Sequence, residues 1–318
     1  MYKHYGVEKF MDKLKVLFVC SGNNTTGRSV NIDVQAGGLM EAGVDVAFFE
    51  IKGKGLTGYL RNIFLLRSYL KNSSFDAVHA HYGLSGMAAS LAGAGPLVVT
   101  LMGSELYLNF VLKHAVIFFA RFVWSTVIVQ SGKMNRMISG KGIVLSNGID
   151  LQKFQNVDVE KALEVTGFEK GKHVIWVSDP YRAEKNFSLA EKAVKMLDDE
   201  NVSLDVVNGV PHDEVPYYFR AADVLLLTSK WEGSPIVVKE ALAAGLPVVS
   251  TDVGDVKELL SGVDGCYVTG STESDIANAL KKALSFNGRT GGAAKVKELD
   301  IKKVSERLKD IYGSIRKR

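Results

Sequence analysis

The sequence predicts an α/β protein of two doubly wound parallel sheets, with a cleft between the domains they build. Three observations predict it. Short apolar runs alternate with helical stretches almost throughout the 318 residues. Apolar runs separated by helices read as parallel strands covered on both faces. The same plan then occurs a second time, after a polar stretch at 147–157.

In the first half, strands are expected at 15–20, 44–51, 77–81, 97–101, 125–130 and 143–145, with helices between them such as 56–70 and 84–92. In the second half, strands are expected at 173–177, 203–207, 223–228, 248–251 and 266–268, with helices near 188–197, 235–244 and 273–284. This divides the chain into a Rossmann-like domain at 1–150, a second at 151–300, and a C-terminal helix at 301–318 that can cross back to the first.

Composition excludes several classes. Apolar residues at 47% and charged residues at 23% describe an ordinary globular chain. Cys20 and Cys266 lie far apart in apolar contexts and suit reduced core thiols. The six histidines form no metal-ligand spacing, and no Asp-x-Asp pair is present, so no metal site is expected. The polar start lacks a secretory apolar core, which gives a cytoplasmic location by default. Residues 1–150 carry net +6 and residues 151–318 net −2, so the first half can face an anionic surface or acceptor. The most apolar region, 106–129, is broken by Lys113, His114 and Arg121. It reads as a helix over 106–121 followed by a strand. That helix is either core or laid on a membrane surface.

The stretch EGSPIVVKEALAAGLPVVSTDVGD (232–255) holds Glu232 and Glu240 with seven residues between them. Ser234 suits an N-cap and Pro235 the first helical position; Gly245 and Pro247 end the helix. Glu232 then stands at the helix mouth, where free N–H groups suit phosphate. Glu240 sits among Ile236, Val237, Ala243 and Ala244, so it is partly buried and needs a partner. Loop SDPYRAEKN (178–186) also follows a strand, and brings Arg182 and Lys185 to the same sheet edge.

SKWEGSPIVVKEALAAGLPVVSTDVGDVKELL (229–260) resembles the Glu–seven–Glu signature of retaining glycosyltransferases of family 4, which have the GT-B fold. FDAVHAHYGLSG (75–86), VVTLMGSEL (98–106), VLSNGIDLQKF (144–154) and AADVLLLTS (221–229) resemble further landmarks of that family, in its order. The resemblance implies transfer of a sugar from a nucleoside diphosphate (UDP-, GDP- or ADP-sugar) to a hydroxyl of a glycan, polysaccharide or lipid-linked acceptor. It implies no metal, no cofactor and no nucleic acid, and it allows a peripheral place at the inner face of a membrane. Glu240 would take the ribose hydroxyls, and Glu232 would act beside the transferred sugar. Gly233, Ser234, Pro235, Ile236 and Val237 would meet sugar and phosphate oxygens. Lys185, with Arg182, would neutralise the diphosphate, and 208–210 would lie near the base.

Three departures stand out. Pro180 occupies the place of the usual diphosphate arginine, with Arg182 only three residues before Lys185. One strand–helix unit before VNGVPHDEVPYYF (207–219) is absent. Met102 replaces the histidine of the T-x-H-G loop, beside Gly103. His81 is a candidate to compensate, with His79 the more structural of the pair. Glu105 either bonds an acceptor hydroxyl or caps a helix. The loop SGNNTTGRS (21–29) faces phosphates or acceptor, or is a plain surface loop. Two alternatives to transfer remain: a GT-B nucleotide-sugar epimerase or hydrolase, and a non-catalytic nucleotide-sugar-binding protein.

Overall fold

The structure is a computed structural model and describes residues 13–23, 27–53, 55–107 and 109–316. The first sheet holds β1 (Lys15–Ser21), β2 (Asp45–Ile51), β3 (Ala77–His81), β4 (Leu97–Leu101), β5 (Thr126–Val129) and β6 (Ile143–Val144), in the order β2-β1-β3-β4-β5-β6. The second holds β7 (Lys172–Val177), β8 (Val202–Val207), β9 (Val224–Leu227), β10 (Val248–Thr251) and β11 (Tyr267–Thr269), in the order β11-β10-β9-β7-β8. Every named pairing is parallel; Val16, for example, is matched with Val46 on one side and Ala77 on the other. Each strand falls within one residue of its expected bounds.

Both faces of each sheet are covered, which is why the strands read as apolar runs without alternation. Ile63, Leu66, Ala88, Ala89, Val116 and Ala120 bring three helices onto one face of the first sheet. On the other face, Ile32, Ala36 and Leu39 of helix Val30–Glu41 pack with Val304, Leu308, Tyr312 and Ile315 of helix Ile301–Arg316. The last helix thus lies against the first sheet. Its apolar residues recur every three or four positions, so one stripe is buried. Each such side chain contributes about 1.5–3 kcal/mol on burial. The crossing is pinned by Ile149, whose N–H donates to Leu299 (2.9 Å) and whose carbonyl accepts from Ile301 (2.9 Å).

The 106–121 helix needs correction. It is two helices, Ser104–Tyr107 and Phe110–Phe122. Asn109 starts the second by accepting from the Leu112 amide at 3.1 Å, an N-cap that the run of apolar residues conceals. Val116 and Ala120 are buried, whereas Phe110, Val111, Phe118 and Phe122 are 77%, 75%, 56% and 68% exposed. Among the described residues, no helix is long and apolar enough to cross a membrane.

Candidate active site

The strand order of the second sheet reverses between β7 and β9. Loops leaving the carboxyl ends of two strands at such a point open a crevice. Here they are 178–186, after β7, and 228–235, after β9. Buried polar groups stitch the two together. Trp176 Nε1 donates to Thr228 Oγ1 (3.1 Å), and that hydroxyl reaches the carbonyls of Lys185 (2.9 Å) and Asn186 (3.1 Å). The Lys230 amide donates to the Glu184 carbonyl at 2.9 Å. The result brings Lys185 Nζ to 2.6 Å from Glu232 Oε1, with both side chains only 15% exposed. Ser229 Oγ donates to the same carboxylate oxygen at 2.7 Å.

Helix Ile236–Ala243 begins one residue later than the Ser-Pro pair suggests. Pro235 is its N-cap, with φ −70° and ψ 116°, and no side chain caps it. Ser234 instead donates to Asp255 Oδ2 at 2.6 Å, a partner from the turn after β10. The expectation of a Ser234 cap is therefore corrected. The first helical amides have no side-chain acceptor, so this end offers N–H groups and positive potential to a ligand. Gly245 closes the helix at φ +67°.

Glu240 is buried, and its Oε1 lies 3.4 Å from His212 Nε2. Lys153 Nζ sits 3.0 Å from His212 Nδ1. An ammonium can only donate, so Nδ1 accepts and Nε2 carries the proton toward Glu240. Lys153 also pairs with Asp213 at 2.6 Å. Glu240, His212 and Lys153 line a cavity together with Gly148, Asn31 and Gly38, the last two from the first-domain helix Val30–Glu41. Lys185 and Glu232 do not line it. The structure therefore sets the two carboxylates apart, one in a cavity between the domains and one at the sheet's switch point.

The first domain reaches this region through Met102 and Gly103. A Cβ on Gly233 would collide with the Met102 carbonyl, and one on Gly103 would lie 2.9 Å from Gly233 Cα. Gly103 has φ +120°, a conformation strained for other residues. Tyr107 stacks on Trp231 nearby, 6.1 Å between ring centres. Glu105 is fully buried beneath the turn. It accepts from the amides of Gly83 (3.1 Å), Met102 (3.0 Å) and Gly103 (2.8 Å). Burial pushes its pKa up, against the pull of those amides. Of the two expected roles, the geometry favours the second kind: the carboxylate is taken up by backbone amides, that of Gly83 at the start of a helix among them.

The remaining candidates separate. Arg182 is half exposed and pairs with Glu184 at 2.7 Å, so it does not join the Lys185–Glu232 pair. His79 is enclosed, with Tyr312 Oη 2.6 Å from Nδ1 and Thr100 Oγ1 2.7 Å from Nε2. His81 stacks on it at 4.3 Å and is itself buried, its Nε2 without a hydrogen-bond partner among the described residues. Burial pushes the His81 pKa down to about 3. His81 is thus enclosed beside His79 and does not line the Glu240 cavity. Asn208 and Gly209 are exposed, and neither lines the Glu240 cavity. In the 21–29 loop, residues 24–26 lie outside the described residues; Arg28 pairs with Asp33 (2.9 Å) and Glu50 (2.7 Å). Among the described residues no cluster of three or more metal-ligating side chains occurs.

His212, Lys153, Lys239, Ser146 and Asp255 were not singled out by sequence reasoning. Only Lys239 carries a local signal, a lysine inside the apolar run IVVKEALA.

Two doubly wound parallel domains meeting at such a crevice define the GT-B architecture. Comparisons agree. Residues 29–126 match the family described as "Glycosyl transferase 4-like", and residues 170–285 match "Glycosyl transferases group 1". Both family models describe glycosyltransferases and match the two domains in turn, and the chain belongs to the family 4-like glycosyltransferases. TuaC of Bacillus subtilis (strain 168), described as a glycosyltransferase of teichuronic acid biosynthesis, is 31% identical over 238 residues; the match covers 65% of this chain and 61% of that one. The UDP-Gal:alpha-D-GlcNAc-diphosphoundecaprenol alpha-1,3-galactosyltransferase of Escherichia coli is 23% identical, over 80% of this chain and 79% of its own. Sucrose-phosphate synthase from Thermosynechococcus elongatus superposes with a TM-score of 0.79 at 14% identity, covering 95% of this chain and 99% of that one. Anabaena HepE, solved in complex with UDP-glucose, superposes with a TM-score of 0.70 at 18% identity, covering 95% and 100%.

Proposed function

We propose that this glycosyltransferase moves a sugar from a nucleoside-diphosphate donor to a hydroxyl acceptor, with retention at the anomeric carbon and without a metal ion. The observation that carries the reading is the uncapped start of helix Ile236–Ala243, with the Lys185–Glu232 pair before it and the buried Glu240 within it. The free amides and Lys185 receive the diphosphate. Lys185 has three protons and gives one to Glu232, so it can hold the carboxylate and a phosphate oxygen together. Glu240 accepts the ribose hydroxyls inside its cavity, with His212 holding the carboxylate in place. Glu232 steadies charge developing at the sugar.

Retention follows in this reading from departure and attack on one face. The leaving diphosphate takes the acceptor proton, so no histidine base at Met102 is required. Catalysis then rests on positioning and on electrostatic stabilisation of the leaving group. The second domain holds most of the donor, and the first faces the acceptor.

UDP is the first nucleotide to test, because the names of the Escherichia coli relative and the HepE structure carry it. The name of the former also carries a lipid-linked acceptor. The exposed face of helix Phe110–Phe122, with Lys113 and Arg121 on the same helix, suits an anionic bilayer surface where such an acceptor would sit. A thermal-shift series with UDP-, GDP- and ADP-sugars tests the donor, since ligand that binds only the native state raises apparent stability. Product analysis with lipid-linked and glycan acceptors tests transfer. Free sugar or an epimer formed without acceptor would refute it in favour of a hydrolase or epimerase. Donor binding with no turnover over the acceptor panel would refute it in favour of a binding protein.

A further inference from the structure

A chain of polar groups, buried at Lys239 and Ser146 and half-buried at Ser234 and Asp255, runs under the start of helix Ile236–Ala243. Lys239 is fully buried, and its Nζ donates to Ser146 Oγ. Ser146 Oγ lies 3.0 Å from Ser234 Oγ, which donates to Asp255 Oδ2 at 2.6 Å. Proton counting fixes the direction. An ionised Asp255 only accepts, so Ser234 gives it its single hydrogen and must accept from Ser146; Ser146 in turn accepts from the ammonium. The chain also crosses domains. Ser146 follows β6, and the preceding Leu145 amide donates to Val129 of β5 at 3.0 Å. Lys239, Ser234 and Asp255 belong to the second sheet's side.

Stability alone does not call for this lysine. Val238, Ala241 and Leu242 of the same helix are fully buried as well, and an apolar side chain in place of Lys239 would avoid desolvating a charge. Burial pushes its pKa down to about 8, against the pull of Asp255 and Glu240. Burial likewise pushes Asp255 up, and Lys239 opposes that. These two carboxylates are the charged groups that bear on the ammonium, and Glu258 bears on Asp255. The chain also explains why Ser234 does not cap the helix: its hydrogen goes to Asp255 and its oxygen faces Ser146.

We propose that Lys239 is a positioning residue for the donor, tying Ser234 and the Gly233–Pro235 turn to the first domain through Ser146 so that the helix amides stay open for the diphosphate. This rests on the reading that the helix start receives the donor. When Lys239 loses its proton, half-buried Asp255 loses its counter-charge, and the chain turns net negative beside an anionic ligand.

The test uses Ser146→Ala, which cuts the chain without changing charge, and the double variant Lys239→Met/Asp255→Asn. The double variant removes both charges together, and should fold where Lys239→Met alone leaves half-buried Asp255 without its counter-charge. Two readouts are followed: amide hydrogen exchange over 233–238 in the ligand-free protein, and UDP affinity by calorimetry across pH 6.5 to 9.5. In the unmodified protein, UDP affinity should stay flat below about pH 8 and fall above it by roughly tenfold, the scale of one charge-assisted contact. The double variant should bind UDP about tenfold more weakly at neutral pH and lack the alkaline fall. Both variants should exchange faster over 233–238. Exchange and pH profile unchanged in the double variant would overturn the proposal. If the unmodified protein binds none of UDP, GDP or ADP while exchange accelerates as stated, the donor reading fails and the tether stands.

Discussion

Replacing Glu105 by glutamine separates a carboxylate that organises a loop from one that waits for substrate. Oε1 holds the Gly83 and Met102 amides, and Oε2 holds the Gly103 amide, in a site closed to solvent. Glutamine has one acceptor oxygen. If that oxygen takes the first position, its NH2 faces the Gly103 amide, donor against donor. In the opposite orientation, two amides are left unpaired. A buried amide without a partner costs about 1–3 kcal/mol, and bonds to a charged acceptor are worth about 1.5–3 kcal/mol each. Glu105→Gln should therefore lose about 2–4 kcal/mol. Urea unfolding with linear extrapolation, accompanied by hydrogen exchange over 101–106, measures both the loss and its location. A change below about 0.5 kcal/mol, with exchange unaltered, would show that the carboxylate does not hold these amides.

The two carboxylates of the second domain should respond differently. Glu240→Gln should weaken UDP binding by about tenfold or more with a smaller change in kcat, because ribose contacts alter little during transfer. Glu232→Gln should bind UDP almost normally and lose about 10²–10³-fold in kcat. Calorimetry paired with steady-state kinetics checks both, and the reverse pattern would exchange their roles. The buried histidines should govern acid stability. His81 is held near 3, well below an ordinary imidazole, so the unfolded chain takes up its proton first as pH falls below about 6.5. Its contribution is whole above that pH and is lost on the way down to about 3, on the order of 5 kcal/mol. His81→Asn should flatten that part of the stability–pH curve, measured by urea unfolding at each pH; a parallel curve would contradict it. Finally, low-salt sedimentation with anionic vesicles should pull down the protein, and Phe118→Ser/Phe122→Ser should reduce it. Equal recovery with neutral vesicles would remove the membrane face.

Much of the fold was legible because each strand is a compact apolar run between turn residues, and the double cover of a parallel sheet leaves no alternation to confuse the reading. Boundaries failed where a distant partner outweighed a local signal. Ser234 has the right local sequence for a cap, but Asp255, twenty-one residues on, takes its hydroxyl. Asn109 was hidden among apolar neighbours although it starts a helix. The carboxylates of the candidate site and Lys185 could be singled out in the sequence, since a Glu–seven–Glu spacing straddling a helix start is local. Their partners were not. His212 reaches Glu240 across twenty-eight positions, and Ser146 reaches Lys239 across ninety-three, and neither contact leaves a trace in periodicity.

The methionine at position 102 becomes intelligible once main chain and side chain are separated. Its N–H is bound to Glu105 and its carbonyl faces Gly233, so both backbone groups serve the contact between domains. Neither needs a particular side chain. Glu105, beneath, fixes the turn through backbone amides, and Gly103 and Gly233 lack the Cβ atoms that would keep the loops apart. What the loop requires is therefore a carboxylate below and glycine on either side of the approach. An imidazole at this position would add a donor toward the cleft without being part of what shapes it. The sequence change removes a polar contact and leaves the scaffold that brings the two domains together intact.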